Sequence, residues 1–219
     1  KMMWTNYPNM PTGADAQMAT YERLVRFAND HNIVVVNDNP YSLIINRRPQ
    51  SILQVDGAKE ACIEFNSMSK SHNMPGWRVG MLCTNATFVS WVLKVKSNID
   101  SGTFRPLQLA AARALANEDE WHAEANINTY ARRRALAEQI MQTLGCDFDP
   151  QQAGMFLWGR IPDHYADCEQ LTEKVLHEAR VFITPGFIFG SNGSRYVRIS
   201  LCAKEEVMQA ALDRIKQMG

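Results

Sequence analysis

Segments rich in β-branched apolar residues alternate along this chain with segments of helical period, and this order limits the possible folds more than any other feature. Strand-like runs lie at residues 2–7, 33–37, 61–66 and 79–84. Between the first two runs, apolar side chains recur on one helix face, namely Met18, Tyr21, Leu24, Val25 and Ala28. Two more helices are predicted, at residues 86–97 and 106–116. The pattern predicts an α/β fold with a mainly parallel sheet.

From residue 118 the pattern changes to that of a small α+β domain. One long helix is predicted over residues 118–144, because Gly145 stands in a helix-stop position. We interpret the arginine run 132–134 on this helix as a solvated or interdomain face. The remaining predicted elements are a strand at 155–161, a helix at 168–179, short strands near 181–184 and 196–201, and a helix from Lys204. We therefore expect two domains, residues 1–117 and 118–219.

Composition excludes several classes of protein. The chain has 219 residues, 46% of them hydrophobic, which is enough to bury a sizeable core. Basic and acidic side chains number 23 each and no basic run occurs, so no nucleic-acid partner is expected. No stretch approaches the ~20 apolar residues that cross a bilayer, and the start lacks a signal-peptide core. We expect a cytoplasmic protein without a membrane partner.

The five cysteines are scattered, odd in number and free of C-x-x-C spacing. This distribution argues for reduced, mostly buried thiols rather than a disulfide framework or a zinc site. His164 and Cys168 can share one helix face, yet a single pair of ligands does not make a metal site. No metal is expected.

Lys70 lies in the run S-M-S-K-S-H-N-M-P-G-W-R-V-G, residues 67–80, directly after the strand-like segment 61–66. A lysine amine forms Schiff bases with carbonyl compounds when desolvation or a nearby cation, here Arg78, favours its neutral form. Ser67 and Arg78 supply a hydroxyl and a fork of N–H donors, which are groups that bind phosphate oxygens. The spacing suits an aldehyde cofactor that carries a phosphate.

This run resembles the S-x-S-K-x(5)-G-x-R-x-G signature of the class I and II aminotransferases, which have fold type I and use pyridoxal phosphate. The resemblance implies that Lys70 forms a Schiff base with the cofactor and later moves the substrate proton. It implies that Ser67 and Arg78 bind the cofactor phosphate, with Ser69 as a further candidate. The implied fold is part of the large domain of this family, followed by its small C-terminal domain.

Asp38 and Tyr41, at the end of the strand 33–37, resemble a second motif of the family, D-x-x-Y. In that motif the aspartate pairs with the protonated pyridine nitrogen and keeps the cofactor an electron sink. The tyrosine hydrogen-bonds the phenolic oxygen of the ring. Because ligands of open α/β sheets collect outside the carboxyl ends of the strands, we expect both motifs to reach one edge of the sheet.

The segment N-Y-P-N-M-P-T-G, residues 6–13, is similar to the family's N-P-T-G turn, whose asparagine contacts the ring oxygen and the substrate carboxylate. Met10 stands in the place of that asparagine. A thioether is a weak acceptor and cannot donate, so the contact is lost or moves to Asn9. Asn9 is therefore kept as a candidate cofactor-binding residue.

Residues 184–186 and 196–201 resemble the family segment whose arginine binds the substrate α-carboxylate, and this gives Arg198 that role. A guanidinium orients a carboxylate through two parallel hydrogen bonds. Arg195 is expected to be exposed. Residues 97–102 stand where family members approach the cofactor phosphate of the partner subunit, so a homodimer is expected by analogy.

Complete members of the family are longer, so we expect this chain to be the C-terminal portion of such a protein. The implied reaction exchanges an amino group between an amino acid and a 2-oxo acid. A pyridoxal-dependent β-lyase or synthase of the same fold stays open, and so does a non-catalytic effector-binding module. Acidic, aromatic and diamino acids all stay open as substrates.

Overall fold

The computed structural model describes residues 1–46, 48–122 and 128–218. The chain divides into two compact units. Unit 1 comprises Lys1–Pro8 and Asp15–Ala125, and unit 2 comprises Asn9–Ala14 and Asn126–Gly219. The short segment Asn9–Ala14 thus counts with unit 2, although it lies early in the chain. The division into domains at residue 118 stays a prediction.

Unit 1 is built on a four-stranded sheet whose strands lie in chain order. The strands are β1 (Met2–Asn6), β2 (Val34–Asp38), β3 (Cys62–Ser67) and β4 (Gly80–Cys83). The helices are α1 (Met18–His31), α2 (Ala58–Ala61), α3 (Met68–Ser71), α4 (Ala86–Ile99), α5 (Arg105–Ala116) and α6 (Glu118–His122). The four predicted strands and the helices predicted at 86–97 and 106–116 are confirmed, with ends that shift by one or two residues.

The first three strands of this sheet are parallel and β4 is antiparallel to β3, which confirms a mainly parallel sheet. Asn6 stands opposite Asp38, and Asp38 stands opposite Phe65. The carboxyl ends of β1, β2 and β3 therefore reach the same side of the sheet, which we call the carboxyl edge. Every residue that follows one of these strands starts from this edge.

Helices cover both faces of the sheet, because successive side chains of a strand point to opposite faces. One face packs against α1 in a buried cluster that includes Tyr21, Val25, Val35 and Cys62. The other face packs against α4 through Val36, Ile63 and Phe88. The apolar run of β2 thus has the composition that burial on both faces requires.

Unit 2 contains a three-stranded antiparallel sheet and helices. The strands are β5 (Phe156–Arg160), β6 (Thr184–Pro185) and β7 (Tyr196–Ser200), in the order β5-β7-β6. The helices are α7 (Ala131–Thr143), α8 (Cys168–Ala179) and α9 (Glu205–Ile215). Both α7 and α8 pack against α9. The described part of unit 2 therefore has the predicted α+β composition.

Two predicted elements of the second half differ from the structure. The strand expected near 181–184 is confined to Thr184–Pro185, because these are the two residues that pair with β7. Within the range 118–144, where one helix was expected, the structure has the α-helices α6 (Glu118–His122) and α7 (Ala131–Thr143). Residues 123–127 of this range lie outside the described residues. Gly145, with a φ of 69°, follows α7 in the expected stop position.

The arginine run 132–134 is only partly a solvated face. Arg132 is exposed and pairs with Glu205 at 2.9 Å. For Arg134 the expectation of a solvated side chain is wrong, because it is 5% exposed and donates to the Gln152 carbonyl at 3.0 Å and to the Glu138 carboxylate at 2.8 Å. Arg134 is therefore part of the core of unit 2.

Over residues 1–46, 48–122 and 128–218, no helix combines the length and the apolarity that a membrane span needs. The same ranges contain no group of three or more His, Cys, Asp or Glu side chains placed to hold a metal ion. All five cysteines are free thiols, and three of them are buried.

Candidate active site

Lys70 lies in the four-residue helix α3, which begins where β3 brings the chain to the carboxyl edge. Ser67, the last residue of β3, caps this helix, because its Oγ accepts a hydrogen bond from the Ser69 backbone N–H at 3.1 Å. Lys70 and both serines are half-buried. The sequence therefore places an amine and two hydroxyls on one turn at the end of a parallel strand.

A chain of hydrogen bonds that the sequence motifs do not predict supports this turn. The Ser71 hydroxyl donates to the Ser67 carbonyl at 3.1 Å and lies 2.9 Å from His72 Nδ1. A hydroxyl has one hydrogen, so we assign His72 Nδ1–H as the donor to Ser71 Oγ. The Trp121 indole N–H donates to the Ser71 carbonyl. The buried pair of Ser71 and His72 thereby fixes the residues on either side of Lys70.

Arg78 lies exposed in the turn that leads into β4. Its backbone has a φ of 54°, and its Nη1 donates to the Pro75 carbonyl at 2.9 Å. An open cavity of about 560 Å³ lies at this turn, lined by Asn73, Pro75, Gly76, Trp77, Arg78 and Leu107. The Arg78 guanidinium therefore borders a space of the size that small ligands occupy.

Asp38 is the last residue of β2 and stands at the same carboxyl edge. Its backbone carbonyl accepts from Asn6 Nδ2 at 2.8 Å, and the next residue, Asn39, donates its N–H to the Phe65 carbonyl at 2.8 Å. Desolvation by the surrounding chain raises the pKa of the Asp38 carboxyl above its ordinary value. Tyr41 follows in a turn and is half-buried. Two of the predicted motifs thus reach one edge from neighbouring strands.

A buried polar network lies behind this edge and was not predicted from the sequence. Asn37 Nδ2 donates to Glu64 Oε2 at 3.0 Å, and Asn37 Oδ1 accepts from the Thr5 hydroxyl at 3.1 Å. Glu64 Oε2 also accepts from the Ile52 backbone N–H at 3.2 Å. Burial, together with the negative charge of Glu64, raises the pKa of Tyr21, whose hydroxyl lies 3.4 Å from Asn37 Nδ2. The network joins β1, β2 and β3 next to Asp38.

In unit 2, the guanidinium of Arg198 on β7 contacts two phenyl rings. Its Cζ is 4.1 Å from the centroid of Phe156 and 4.5 Å from that of Phe189. Such contacts attract a cation to the ring face. Met10 Sδ lies 3.5 Å from Arg198 Nη1, within the range of a hydrogen bond to sulfur. Two aromatic rings therefore contact the guanidinium, and its Nη1 faces Met10, the residue that replaces the family asparagine.

Arg195, three residues before Arg198, has a different environment. The expectation that it is exposed is wrong, because it is half-buried and donates to the carbonyls of Pro162 at 2.9 Å, Ala166 at 3.0 Å and Tyr165. Its guanidinium holds the loop that precedes α8. Arg195 therefore has a structural role that the alternation of β7 does not reveal.

Asn9 forms the turn that contains Met10. Its backbone N–H donates to the Ala14 carbonyl at 2.8 Å, and its Oδ1 accepts from the Thr12 hydroxyl at 2.8 Å. Gly13 has a φ of 68°, and a Cβ there would lie 2.8 Å from Gln152 Cβ, so glycine is required at this position. The side-chain oxygen of Asn9 is thus used within its own turn.

The residues at the carboxyl edge of unit 1 have the chemistry that pyridoxal phosphate requires. Lys70 offers an amine for the aldehyde, and Ser67, Ser69 and Arg78 offer donors for the phosphate. Asp38 offers a carboxylate for a protonated ring nitrogen, and desolvation raises the pKa of this carboxyl. The donor set therefore fits the group. The roles of the individual residues stay predictions.

The sequence profile of the family described as Aminotransferase class I and II matches residues 1–215. Two similar proteins are LL-diaminopimelate aminotransferase 2 of Trichormus variabilis, 38% identical, and the LL-diaminopimelate aminotransferase of Moorella thermoacetica, 39% identical. Each match covers 100% of this chain and 56% of the relative.

Solved structures show the same similarity. Substrate-bound BacF of Bacillus subtilis superposes with a TM-score of 0.89 at 33% identity, over 100% of this chain and 56% of that one. An aspartate aminotransferase mutant of Thermus thermophilus superposes with a TM-score of 0.85 at 26% identity, over 100% of this chain and 60% of that one. The chain thus spans little more than half the length of the proteins that it matches.

Proposed function

Since this chain belongs to the class I and II aminotransferases, we propose that the whole protein exchanges an amino group between an amino acid and a 2-oxo acid. One observation carries the proposal: Lys70 follows β3 at the carboxyl edge, where Asp38 ends the neighbouring parallel strand. An amine and a carboxylate at adjacent strand ends are what chemistry with a pyridoxal cofactor needs. Enzymes of this family depend on pyridoxal phosphate.

We assign cofactor binding to the residues of the carboxyl edge. Ser67 and Arg78 would bind the phosphate, and the Ser69 hydroxyl would be a further donor to it. Asp38 would accept a hydrogen bond from the protonated ring nitrogen, a contact that would offset the desolvation that raises the pKa of its carboxyl. Tyr41 would donate to the phenolic oxygen of the ring. Asn9 is a further candidate for the ring, through its side-chain amide.

Bound pyridoxal phosphate supplies an aldehyde that condenses with amines and a ring that delocalises the electrons left by a departing Cα proton. Lys70 Nζ would hold the group through its aldehyde. The Lys70 amine would also take the substrate Cα proton as a general base and return it as a general acid. The complete exchange would give a 2-oxo acid from the donor and an amino acid from the second oxo acid.

Arg198 is the residue that we assign to the substrate α-carboxylate. Two aromatic rings contact its guanidinium, and this packing supports the defined geometry that a bidentate carboxylate contact needs. For the rest of the substrate, relatives of 37–39% identity are named after LL-diaminopimelate. Among acidic, aromatic and diamino acids, we therefore propose a diamino dicarboxylic acid as the first donor to test.

We further propose a cytoplasmic homodimer. Five free cysteines suit the reducing environment of the cytoplasm. The dimer rests on the family resemblance of residues 97–102, near the end of α4. We retain two domains, 1–117 and 118–219, as the proposed organisation of the chain.

Mapping the cofactor onto Lys70 tests the proposal. The whole protein is mixed with pyridoxal phosphate, reduced with borohydride and digested, and the modified peptide is identified by mass spectrometry. We expect a visible absorption band and a reduced adduct on Lys70, both lost in Lys70→Ala. Lys59→Ala, a change at an exposed lysine of the same unit, is the matched control and should keep both. An adduct that persists in Lys70→Ala would contradict the proposed role of Lys70.

A β-lyase or synthase of the same fold is the second candidate, because it would use the same residues up to loss of the Cα proton. Release of pyruvate and ammonia without any oxo-acid acceptor would favour it. Transfer of the amino group to an added 2-oxo acid would favour the aminotransferase. Full biological function of Lys70→Ala would instead support a non-catalytic effector-binding module.

A further inference from the structure

Met10 combines exposure with a direct contact to the proposed carboxylate site. Its side chain is 38% exposed, and its sulfur lies 3.5 Å from Arg198 Nη1. Of the methionines in the described residues, only Met10 and Met2 are exposed, and Met2 lies on β1 of unit 1. In the structure described, the Met10 side chain is therefore open to solvent without any unfolding.

The surroundings of Arg198 decide what a change at Met10 would do. The rings of Phe156 and Phe189 both contact the guanidinium, whose Cζ is 4.1 Å and 4.5 Å from their centroids. Because the N–H donors of a guanidinium lie in its plane, a carboxylate binds it along its edge. Met10 Sδ already lies at that edge, at Nη1. A thioether is a weak acceptor, which a carboxylate can displace because hydrogen bonds between charged groups are roughly twice as strong as neutral ones.

We propose that Met10 is an oxidative modification site that switches off carboxylate binding at Arg198. This inference rests on the proposed function, since it takes Arg198 as the residue that binds the substrate carboxylate. A sulfoxide oxygen is a much stronger acceptor than a thioether sulfur. Attached to a sulfur 3.5 Å from Nη1, it comes within hydrogen-bond range of the guanidinium and occupies the edge that the carboxylate needs.

The oxidant is a hydroperoxide, for example hydrogen peroxide. The sulfur gives an electron pair to one peroxide oxygen, an S–O bond forms, the O–O bond breaks and water leaves. The sulfur is oxidised by two electrons and the peroxide is reduced by two. Methionine sulfoxide reductases reverse the change, so the modification is a switch and not only damage.

The test measures how much the carboxylate contributes to binding before and after oxidation. The whole protein, loaded with pyridoxal phosphate, is titrated with 2-aminoisobutyrate, an amino acid without a Cα hydrogen, and with isopropylamine, which lacks the carboxylate. The shift in cofactor absorbance gives both dissociation constants. The dissociation constant of isopropylamine divided by that of 2-aminoisobutyrate is the ratio that reports the carboxylate contact. The protein is then treated with peroxide and afterwards with dithiothreitol, which reverses disulfide and sulfenic acid formation at cysteines.

We expect oxidation to reduce this ratio by about tenfold, the size of one hydrogen bond to a charged group, while the affinity for isopropylamine stays the same. Incubation with methionine sulfoxide reductases should restore the ratio. In Met10→Leu, peroxide should leave the ratio of that variant unchanged. Met2→Leu is the matched control, because it removes the other exposed methionine, and it should respond to peroxide as the unmodified chain does.

Two results would overturn the inference about Met10 and leave the proposed role of Arg198 intact. One is an unchanged ratio in protein whose Met10 peptide carries the sulfoxide by mass spectrometry. The other is a Met10 that stays unoxidised while Met2 is converted. A different result would remove its premise: if Arg198→Gln keeps the ratio of the untreated protein, Arg198 does not bind the carboxylate, and the proposed role of Arg198 falls together with the switch.

Discussion

At the scale of single residues, Arg134 shows how a charged side chain becomes part of the interior. It is 5% exposed, and its guanidinium reaches the carbonyls of Gln152 and Pro150 as well as the Glu138 carboxylate. A guanidinium can be buried when its donors meet carbonyl and carboxylate oxygens. Arg134 thereby ties α7 to the loop that precedes β5.

Replacing Arg134 by methionine should destabilise the protein by about 2–3 kcal/mol, because it leaves buried oxygens without their donor. The free energy of unfolding from urea denaturation measures the effect. Arg132→Met removes an exposed ion pair from the same helix and should change the free energy by at most about 0.5 kcal/mol. An equal decrease in the free energy of unfolding in the two variants would show that the buried contacts of Arg134 do not stabilise the protein.

The residues of the candidate site were predictable to different degrees. Asp38 and Ser67 end their strands and Lys70 follows β3, and parallel pairing determines which edge they reach, so motif and chain order suffice to place them. The hydrogen bonds of Glu64 could not be predicted, because its partner Asn37 belongs to another strand. A single polar residue in an apolar run also forms no repeating pattern from which its role could be recognised.

At the scale of elements, the strands and longer helices could be predicted because hydrophobic period and flanking turns are local properties. The bounds of β6 could not, since that strand exists only through its pairing with β7. The four-residue helices α2 and α3 were also missed, because one turn is too short to show a helical period. Hydrophobic period and flanking turns thus predict the elements that are long enough to show a repeating apolar face.

Gly186 illustrates an element that depends on close backbone contact. It follows β6, and a Cβ there would overlap the backbone oxygens of Gly193 and Tyr196. We expect Gly186→Ala to cost about 1–3 kcal/mol of stability, because neither backbone can move away cheaply. Gly76→Ala, where no atom lies within 4 Å of the added carbon, should stay within about 0.5 kcal/mol. Thermal or urea unfolding of both variants distinguishes the two sites.

At the scale of the whole molecule, each unit buries a thiol that resists ionisation. Burial, with the charge of Glu64 as a smaller cause, raises the pKa of Cys62 in unit 1 from 9.0 to about 11. Burial raises the pKa of Cys146 in unit 2 to about 12. Folding therefore favours the neutral thiols. Their contribution to stability is fully present below pH 9.0 and is lost as the pH rises through these higher values.

Alkaline conditions should consequently destabilise the protein, with about 2 kcal/mol lost through Cys62 by pH ~11. The measurement compares the free energy of unfolding at pH ~8 and pH ~10.5 in three proteins. The loss should be smaller in Cys62→Ala than in the unmodified chain, whereas Cys83→Ala, which changes an exposed thiol, should lose as much as the unmodified chain. The same loss in all three would refute a role for Cys62.

The pairing of β2 with β3 has a consequence for how the length of this chain can vary. Asp38 stands opposite Phe65, and Lys70 comes five positions later. Deleting one residue from β3 would move the lysine by about 3.3 Å and turn the side chains of the strand to the other face. Insertions between Tyr41 and Gln50 leave that spacing intact. Length changes should therefore be tolerated less in the six residues of β3 than in the segment between Tyr41 and Gln50.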